Sequence, residues 1–247
     1  MVRRFFALAP LALIGAVWFW FLILPWPVLV RWRDPGPTAF MDRRVREARQ
    51  RGNALEIHHT WVDLDQIARN LQRAVVLAED GNFFEHRGID WAALGEELEY
   101  RGDDDFSWFD TDDLRALWDA LGYYVRNRHE IRGRSTITQQ LAKNLYFSSN
   151  RSVLRKVEEL LVARRLELFV PKNRILELYL NIAEWGPGIF GAEAAARHYY
   201  GRSAANLNLD QAVTLAVTLP HPLTSNPSTR PGRMASRKAT VLRLMGR

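Results

Sequence analysis

Cysteine is absent from the 247 residues. Disulfides and thiol catalysis are therefore excluded, while an oxidising compartment is permitted without being required. No internal repeat is present. Sustained alternation of apolar and polar residues, the mark of a half-buried strand, is missing apart from a short stretch around Ala54 to Val62. Basic residues are mixed with acids throughout and no recognition motif for nucleic acid occurs, which disfavours a nucleic-acid binder. The net charge of +6 remains compatible with anionic lipid headgroups or pyrophosphates.

What the chain does have, first of all, is an apolar run free of charge from Phe5 to Val30. A bilayer core needs about 20 such residues. The run exceeds the core of a secretory signal, and no small-x-small cleavage pattern follows it. Pro25-Trp26-Pro27 leads instead to Arg31, Trp32 and Arg33, the aromatic and basic residues that suit an interfacial helix end. A retained single-span anchor is expected. Arg3 and Arg4 precede the run, and Arg31, Arg33, Arg43, Arg44 and Arg46 follow it. A long following domain can cross regardless of flanking charge, so this count leaves the orientation undecided.

Residues 1–34 thus read as a short tip and transmembrane anchor, the tip being cytoplasmic only on the family resemblance given below, 35–52 as a juxtamembrane connector, and 53–247 as one domain long enough to bury a proper core. Apolar residues from Leu64 through Ala78 recur at three and four, predicting a core-facing helix that delivers Glu79 at its C-terminal end. Further helices are predicted over 152–169, 173–185, 192–200, from Asn208 to Leu219 behind an Asn208/Gln211 capping box, and over 233–245. Gly186, Gly188 and Gly191 suit a tight turn and close packing of the helix that follows.

Between Tyr100 and Ile131, Asp103, Asp104, Asp105, Asp110, Asp112 and Asp113 crowd around Phe106, Trp108 and Phe109. Like charges so close favour a solvated loop. The glycine and terminal Glu of a calcium loop are missing. Leu114, Leu117, Trp118 and Leu121 predict a short amphipathic helix after it.

Three polar blocks carry the candidate chemistry. Glu79 and Asp80 are adjacent acids at a helix end, followed by Phe83 and Phe84. A neighbouring charge, the helix dipole and aromatic cover all disfavour ionisation, which would lift Glu79 toward the range of a general base. Gly133 to Gln140 packs hydroxyls and amides together, then adds Lys143 and Asn144. Buried polar groups need partners, and a groove for a polyhydroxylated or phosphorylated ligand would supply them. Arg151, Arg155 and Lys156 beside Glu159 read either as ordinary helix ion pairs or as a pyrophosphate clamp.

These blocks resemble glycosyltransferase family 51, the peptidoglycan glycosyltransferases, and within it the monofunctional members with one membrane anchor. The matching motifs are Glu79-Asp80 with Phe83, His86, Gly88 and Asp90; Ser135-Thr136-Ile137 with Gln139, Gln140, Lys143 and Asn144; Arg155-Lys156 with Glu159; Ile175, Leu176, Glu177, Tyr179, Leu180 and Asn181; and Leu219-Pro220 with Pro222, Asn226 and Pro227. Five motifs in order span nearly the whole region after the anchor.

The resemblance implies a mainly helical, lysozyme-like domain with a small membrane-facing lobe, preceded by one N-terminal transmembrane helix. It implies polymerisation of lipid II into β-1,4-linked glycan strands, with inversion and release of undecaprenyl diphosphate. Glu79 would be the base on the acceptor's 4-hydroxyl. Glu159 would act at the leaving group with Lys143, Arg151, Arg155 and Lys156, and Ser135, Thr136, Gln139, Gln140 and Asn144 would orient substrate oxygens. Phe83, Asp80 and His86 complete the set, the last two holding the Glu79 loop, with Glu177 and Asn181 as support behind it. No organic cofactor is expected; a divalent cation, Mg2+ or Mn2+, could share the work of Glu159. The expected partners are lipid II, the growing glycan, the membrane and proteins of the cell-wall machinery. The expected location is the cytoplasmic (inner) membrane, with the catalytic domain on the periplasmic side. Tyr123, Tyr124, Leu145, Tyr146 and Phe147 are candidates for the lipid-facing lobe, and residues 101–130 read as an acidic insertion relative to the family. No penicillin-binding Ser-x-x-Lys domain is expected, so no transpeptidase activity. The alternatives are an anchored, lysozyme-like glycan hydrolase and a non-catalytic cell-wall scaffold.

Overall fold

The computed structural model describes residues 14–97, 111–127, 135–147 and 153–246, and within them the architecture is mainly helical. Residues 14–23 form the described part of a first helix, α1, whose apolar side chains Trp18, Phe19, Leu22 and Ile23 are exposed. Helix α2 (Ala39–Gln50) is opened by Thr38, whose hydroxyl accepts from the Met41 N–H. Its first turn buries Phe40 and Met41, and the helix packs on α6 (Ile137–Tyr146). The stretch read as a connector is therefore part of the packed domain.

The stripe from Leu64 to Glu79 is not one helix. A 3₁₀ turn, Leu64–Gln66, is separated from α3 (Arg69–Glu79) by extended backbone at Ile67, and there Ala68 N–H donates to Ala204 O rather than to a helical carbonyl. Leu71, Ala74, Val75 and Val76 form the buried face of α3, which lies against α10 (Leu209–Ala216) and α11 (Ala235–Met245). On the other side, α6 packs against α7 (Val153–Phe169) and α8 (Lys172–Ile182). The site forms where the C-terminus of α3 meets the N-terminus of α6.

Helix α8 stops at Ile182 rather than Trp185, because Ala183 turns extended and Glu184–Gly186 becomes β2. Strand β3 (Ile189–Phe190) pairs antiparallel with β2 and parallel with β1 (His58–His59), the only part of the Ala54–Val62 stretch that is strand. A Cβ on Gly188, at φ +74°, would collide with the Glu56 carbonyl beside β1. Glycine is thus required where the sheet closes. Gly191, at φ +86°, opens α9 (Ala192–Tyr200) against the Asn181 carbonyl.

The Asn208/Gln211 capping box is formed in both directions, and α10 ends at Ala216, short of Leu219, as the chain passes into successive turns. The last helical segment divides into a 3₁₀ turn, Pro231–Met234, and α11. Helices α4 (Trp91–Glu97) and α5 (Thr111–Asn127) complete the set. They expose Trp91 (70%), Trp118 (76%) and Leu114. Leu145, by contrast, is buried, and Tyr146 and Phe147 pack on the core, because the α6 face that carries them is closed by its neighbours. These three are core residues, not lobe surface. Within the stretch read as an insertion, residues 101–110, which include Asp103, Asp104, Asp105 and Asp110, and residues 128–130 lie outside the described residues.

Candidate active site

Asp80 ends α3, and its side chain joins the first two polar blocks. Its Oδ2 accepts from the Ile137 N–H at 2.9 Å, the first turn of α6, where a negative charge is favoured by the helix dipole. The same carboxylate accepts from His86 Nε2 at 2.8 Å. His86 Nδ1 accepts from the Gly88 N–H at 3.1 Å, so the ring proton must sit on Nε2. Gly88 O in turn accepts from the Thr136 hydroxyl at 2.7 Å and from Gln139 Nε2 at 3.1 Å. Thr136 also serves as the N-cap of α6, accepting from Gln139 N–H. The loop after Glu79 and the start of α6 therefore form one hydrogen-bonded unit.

Within that unit, Glu79 has both carboxylate oxygens engaged. Oε2 accepts from Gln140 Nε2 at 3.0 Å, and Gln140 Oε1 is held by the Tyr179 hydroxyl at 3.0 Å. Oε1 accepts from Arg237 Nη2 at 3.1 Å, and the same nitrogen donates to Ala78 O at 2.8 Å. Burial pushes the Glu79 carboxyl above the usual carboxylate range, and Gln140, Arg237 and Lys143 hold it back. Burial also drives the Tyr179 phenol well above its ordinary value, with the negative charges of Glu79 and Asp80 acting the same way. Tyr179 is accordingly a hydrogen-bond donor to Gln140. Each oxygen of Glu79 keeps a free lone pair, so the group can still accept a proton.

The third block lies across α6. Glu159 is buried and paired with Arg155 at 2.8 Å and with Lys156 at 3.7 Å. Lys156 Nζ donates to Ser135 Oγ and to Gln139 Oε1, each at 3.0 Å. Burial lowers Lys143 from its ordinary value; Glu159 opposes this, while Arg155, Arg43 and Lys156 add to it. Lys156 is lowered too, mainly by burial. Several cations thus share one buried carboxylate, an arrangement that a bound anion would relieve.

Glu79, Asp80, His86, Ser135, Thr136, Gln139, Gln140, Lys143, Arg155, Lys156 and Glu159 are brought into this connected region. Phe83 is not at its surface; it is wholly buried under Lys172, whose ammonium stands 4.3 Å from its ring centre. Much of the second block finds its partners inside the protein rather than facing a groove. Thr136 and Gln139 bond Gly88 O, and Thr138 donates to Glu167 at 2.6 Å. Asn144 is buried, and its Oδ1 has no hydrogen-bond partner among the described residues. Arg151 lies outside the described residues. Glu177 accepts from Leu64 N–H at 3.0 Å, and Asn181 exchanges hydrogen bonds with both backbone groups of Val62. This pins the segment that leads into α3.

Arg237 and Arg43 were not singled out by the sequence. Arg237 sits in a basic C-terminal helix with no local signature, and Arg43 in a charged helix resembling a spacer. Only the packing of α11 on α3 and of α2 on α6 brings them to the site. The residues around Glu159 do not fit a protein-held metal ion. Its immediate partners are cations, and among the described residues no group of three His, Cys, Asp or Glu side chains could hold one.

Comparison with known proteins agrees with this geometry. The Transglycosylase family matches the chain over residues 47–102 and 101–246. A biosynthetic peptidoglycan transglycosylase of Bordetella pertussis is 43% identical over 235 residues, covering 95% of this chain and 88% of the relative. Proteins of the same name from Bordetella avium and a Janthinobacterium species are 45% and 39% identical, covering 86% and 92% of this chain and 81% and 87% of their own. With the acid, the polar helix start and the cation-bearing helix in one connected site, this chain belongs to the transglycosylase family.

Proposed function

We propose that the protein is a peptidoglycan glycosyltransferase that polymerises lipid II into β-1,4-linked glycan strands. Glu79 takes the proton from the 4-hydroxyl of the acceptor sugar, whose oxygen attacks the anomeric carbon of the growing, lipid-linked chain. The configuration inverts from α to β, and the bond to undecaprenyl diphosphate breaks. Negative charge develops on the departing diphosphate, where Lys143, Arg155 and Lys156 lie ready to receive it. Glu159 keeps that cluster together before substrate arrives. The observation that carries this reading is the pairing of a buried, hydrogen-bonded acid with a cation pocket through Gln140, Ser135 and Lys156.

Membrane attachment belongs to the same reading. Among the described residues no helix is long and apolar enough to cross a membrane, and residues 1–13 of the expected anchor lie outside them. The charge-free sequence from Phe5 and the exposed apolar side chains of α1 support an anchor. The exposed Trp91, Leu114 and Trp118 suit a lobe resting on lipid. The polymer is made outside the cytoplasmic membrane, on the periplasmic face. Residues 101–130 are read as an acidic insertion on the crowding of aspartates from Asp103 to Asp113.

The test is incubation of the purified full-length protein with labelled lipid II and separation of the products by length. Glycan strands growing from lipid II support the proposal. Protein that shortens preformed glycan and never extends lipid II is a hydrolase, and protein that does neither is a scaffold.

A further inference from the structure

Arg165, on the same helix as Glu159, is 4% exposed and takes no part in the chemistry described above. Its guanidinium is spent on the N-terminal segment. Nη2 donates to Phe21 O at 2.6 Å, and Nη1 donates to Leu24 O at 2.7 Å and to Pro25 O at 3.1 Å. These carbonyls belong to the end of α1 and the residues just past it, where a helix leaves its acceptors unsatisfied and its dipole favours a cation. Proline at 25 and 27 prevents the helix from continuing. The guanidinium carbon also stands 4.4 Å from the Phe21 ring centre and 4.0 Å from that of Trp26. An arginine fork bonded to three carbonyls and packed on two rings holds its partners in one geometry, which a lysine could not do.

The socket extends beyond one residue. Trp20 Nε1 donates to Glu158 at 3.1 Å, the neighbour of Glu159. Trp26 packs on Phe169 at the end of α7, and Arg31 donates to the Phe169 carbonyl. Arg174 of α8 donates to Val30 O at 3.0 Å and pairs with Asp34 at 2.8 Å. Leu24 is buried in the main core. Helix α7 therefore grips α1 through Glu158 and Arg165, and the residues past it through Arg165 and Phe169, while carrying Arg155, Lys156 and Glu159. Six residues of α-helix separate Glu159 from Arg165, about 9 Å along the axis.

We propose that Arg165 is a positioning residue that locks the end of the anchor to α7 and so fixes the height of the diphosphate clamp above the bilayer surface. The proposal rests on the reading of the protein as an anchored, lipid II-polymerising enzyme. A polyprenyl diphosphate is held by its hydrocarbon tail, so its phosphates lie at the headgroup level. A clamp on a rigid anchor meets them at one height; a clamp on a loose tether must search for it.

The test compares two substrates of the full-length protein in lipid vesicles. One is lipid II with its full polyprenyl chain, in the same bilayer. The other is a water-soluble analogue with a short prenyl chain. Arg165→Ala should lose about tenfold or more with the embedded substrate and change little with the soluble one. Arg165→Lys, which keeps the charge without the fork, should fall between wild type and Arg165→Ala. It also serves if Arg165→Ala fails to fold. Because the chain has no cysteine, a fluorophore on Asn70→Cys can report energy transfer to labelled headgroups, and its distance distribution should broaden in the variants. Equal losses on both substrates, or no loss on either, would overturn the proposal. Failure of the wild type to polymerise either substrate would instead overturn the reading of function.

Discussion

At Glu79 the proposed role as base sets two demands against each other: the acid must be ionised to accept a proton, yet its burial resists ionisation. Burial raises its pKa, as does the charge on Asp80. Gln140 and Arg237 oppose this by donating to the carboxylate, and Lys143 opposes it through space. Tyr179 faces the same group through Gln140. The ionised base is the active form, so the acid limb of kcat/KM reports its pKa in the free enzyme. Arg237→Ala removes a group that favours the anion. The limb should move to higher pH, with the activity deficit largest on the acid side and shrinking as pH rises. Arg237→Lys should restore part of the shift. A profile that keeps its shape while the whole rate falls would mean that Arg237 does not act through Glu79. The sequence made Glu79 legible through Asp80, the adjacent acid at the same helix end, which raises its pKa, although the aromatic cover expected from Phe83 and Phe84 lies elsewhere. It could not reveal Arg237, whose part depends on a contact across 158 positions.

Between elements, the decisive joints are side chains bonded to backbone. Asn181, wholly buried on α8, accepts from Val62 N–H at 3.0 Å and donates to Val62 O at 2.9 Å, fixing the strand-like segment from which α3 starts. Asn181→Leu would leave both Val62 groups unpaired beside a buried side chain. The expected loss is about 2–4 kcal/mol by denaturant unfolding. A change within about 0.5 kcal/mol would mean that water or a shifted backbone satisfies those groups. The helices α7, α9 and α10 were legible because a stop or start signal bounds each: Pro171 after α7, the left-handed Gly201 after α9 and the Asn208/Gln211 box before α10. The break at Ile67–Ala68 was not, since its partner, Ala204 O, lies far along the chain, and neither was the strand at Glu184–Gly186, a three-residue segment too short for alternation to mark, which pairs with the neighbouring β3. The same applies to Leu145, Tyr146 and Phe147, whose apolar character fits core and lipid equally until the packing of α6 is known. Phe83 likewise keeps its place in the first motif as a core residue.

Across the whole molecule, α3 and α11 bring Glu79 and Arg237, α6 brings the amides and Lys143, and α7 brings Arg155, Lys156 and Glu159 together with the contacts to the N-terminal segment. The mainly helical class and the three polar blocks could be read from the chain. Their meeting point could not, because it depends on Asp80 capping a helix that begins 57 positions later. The claim on which all this depends is that the carboxylate at 79 is the base for glycan extension. Its most direct test is the rate of strand formation from labelled lipid II by wild type and Glu79→Gln, with folding verified by thermal unfolding. The substitution keeps the shape and the contact with Gln140 but cannot take up a proton. The account predicts loss of about 10²-fold to 10⁴-fold or more, whereas polymer formed at near the wild-type rate by a folded Glu79→Gln protein would contradict it.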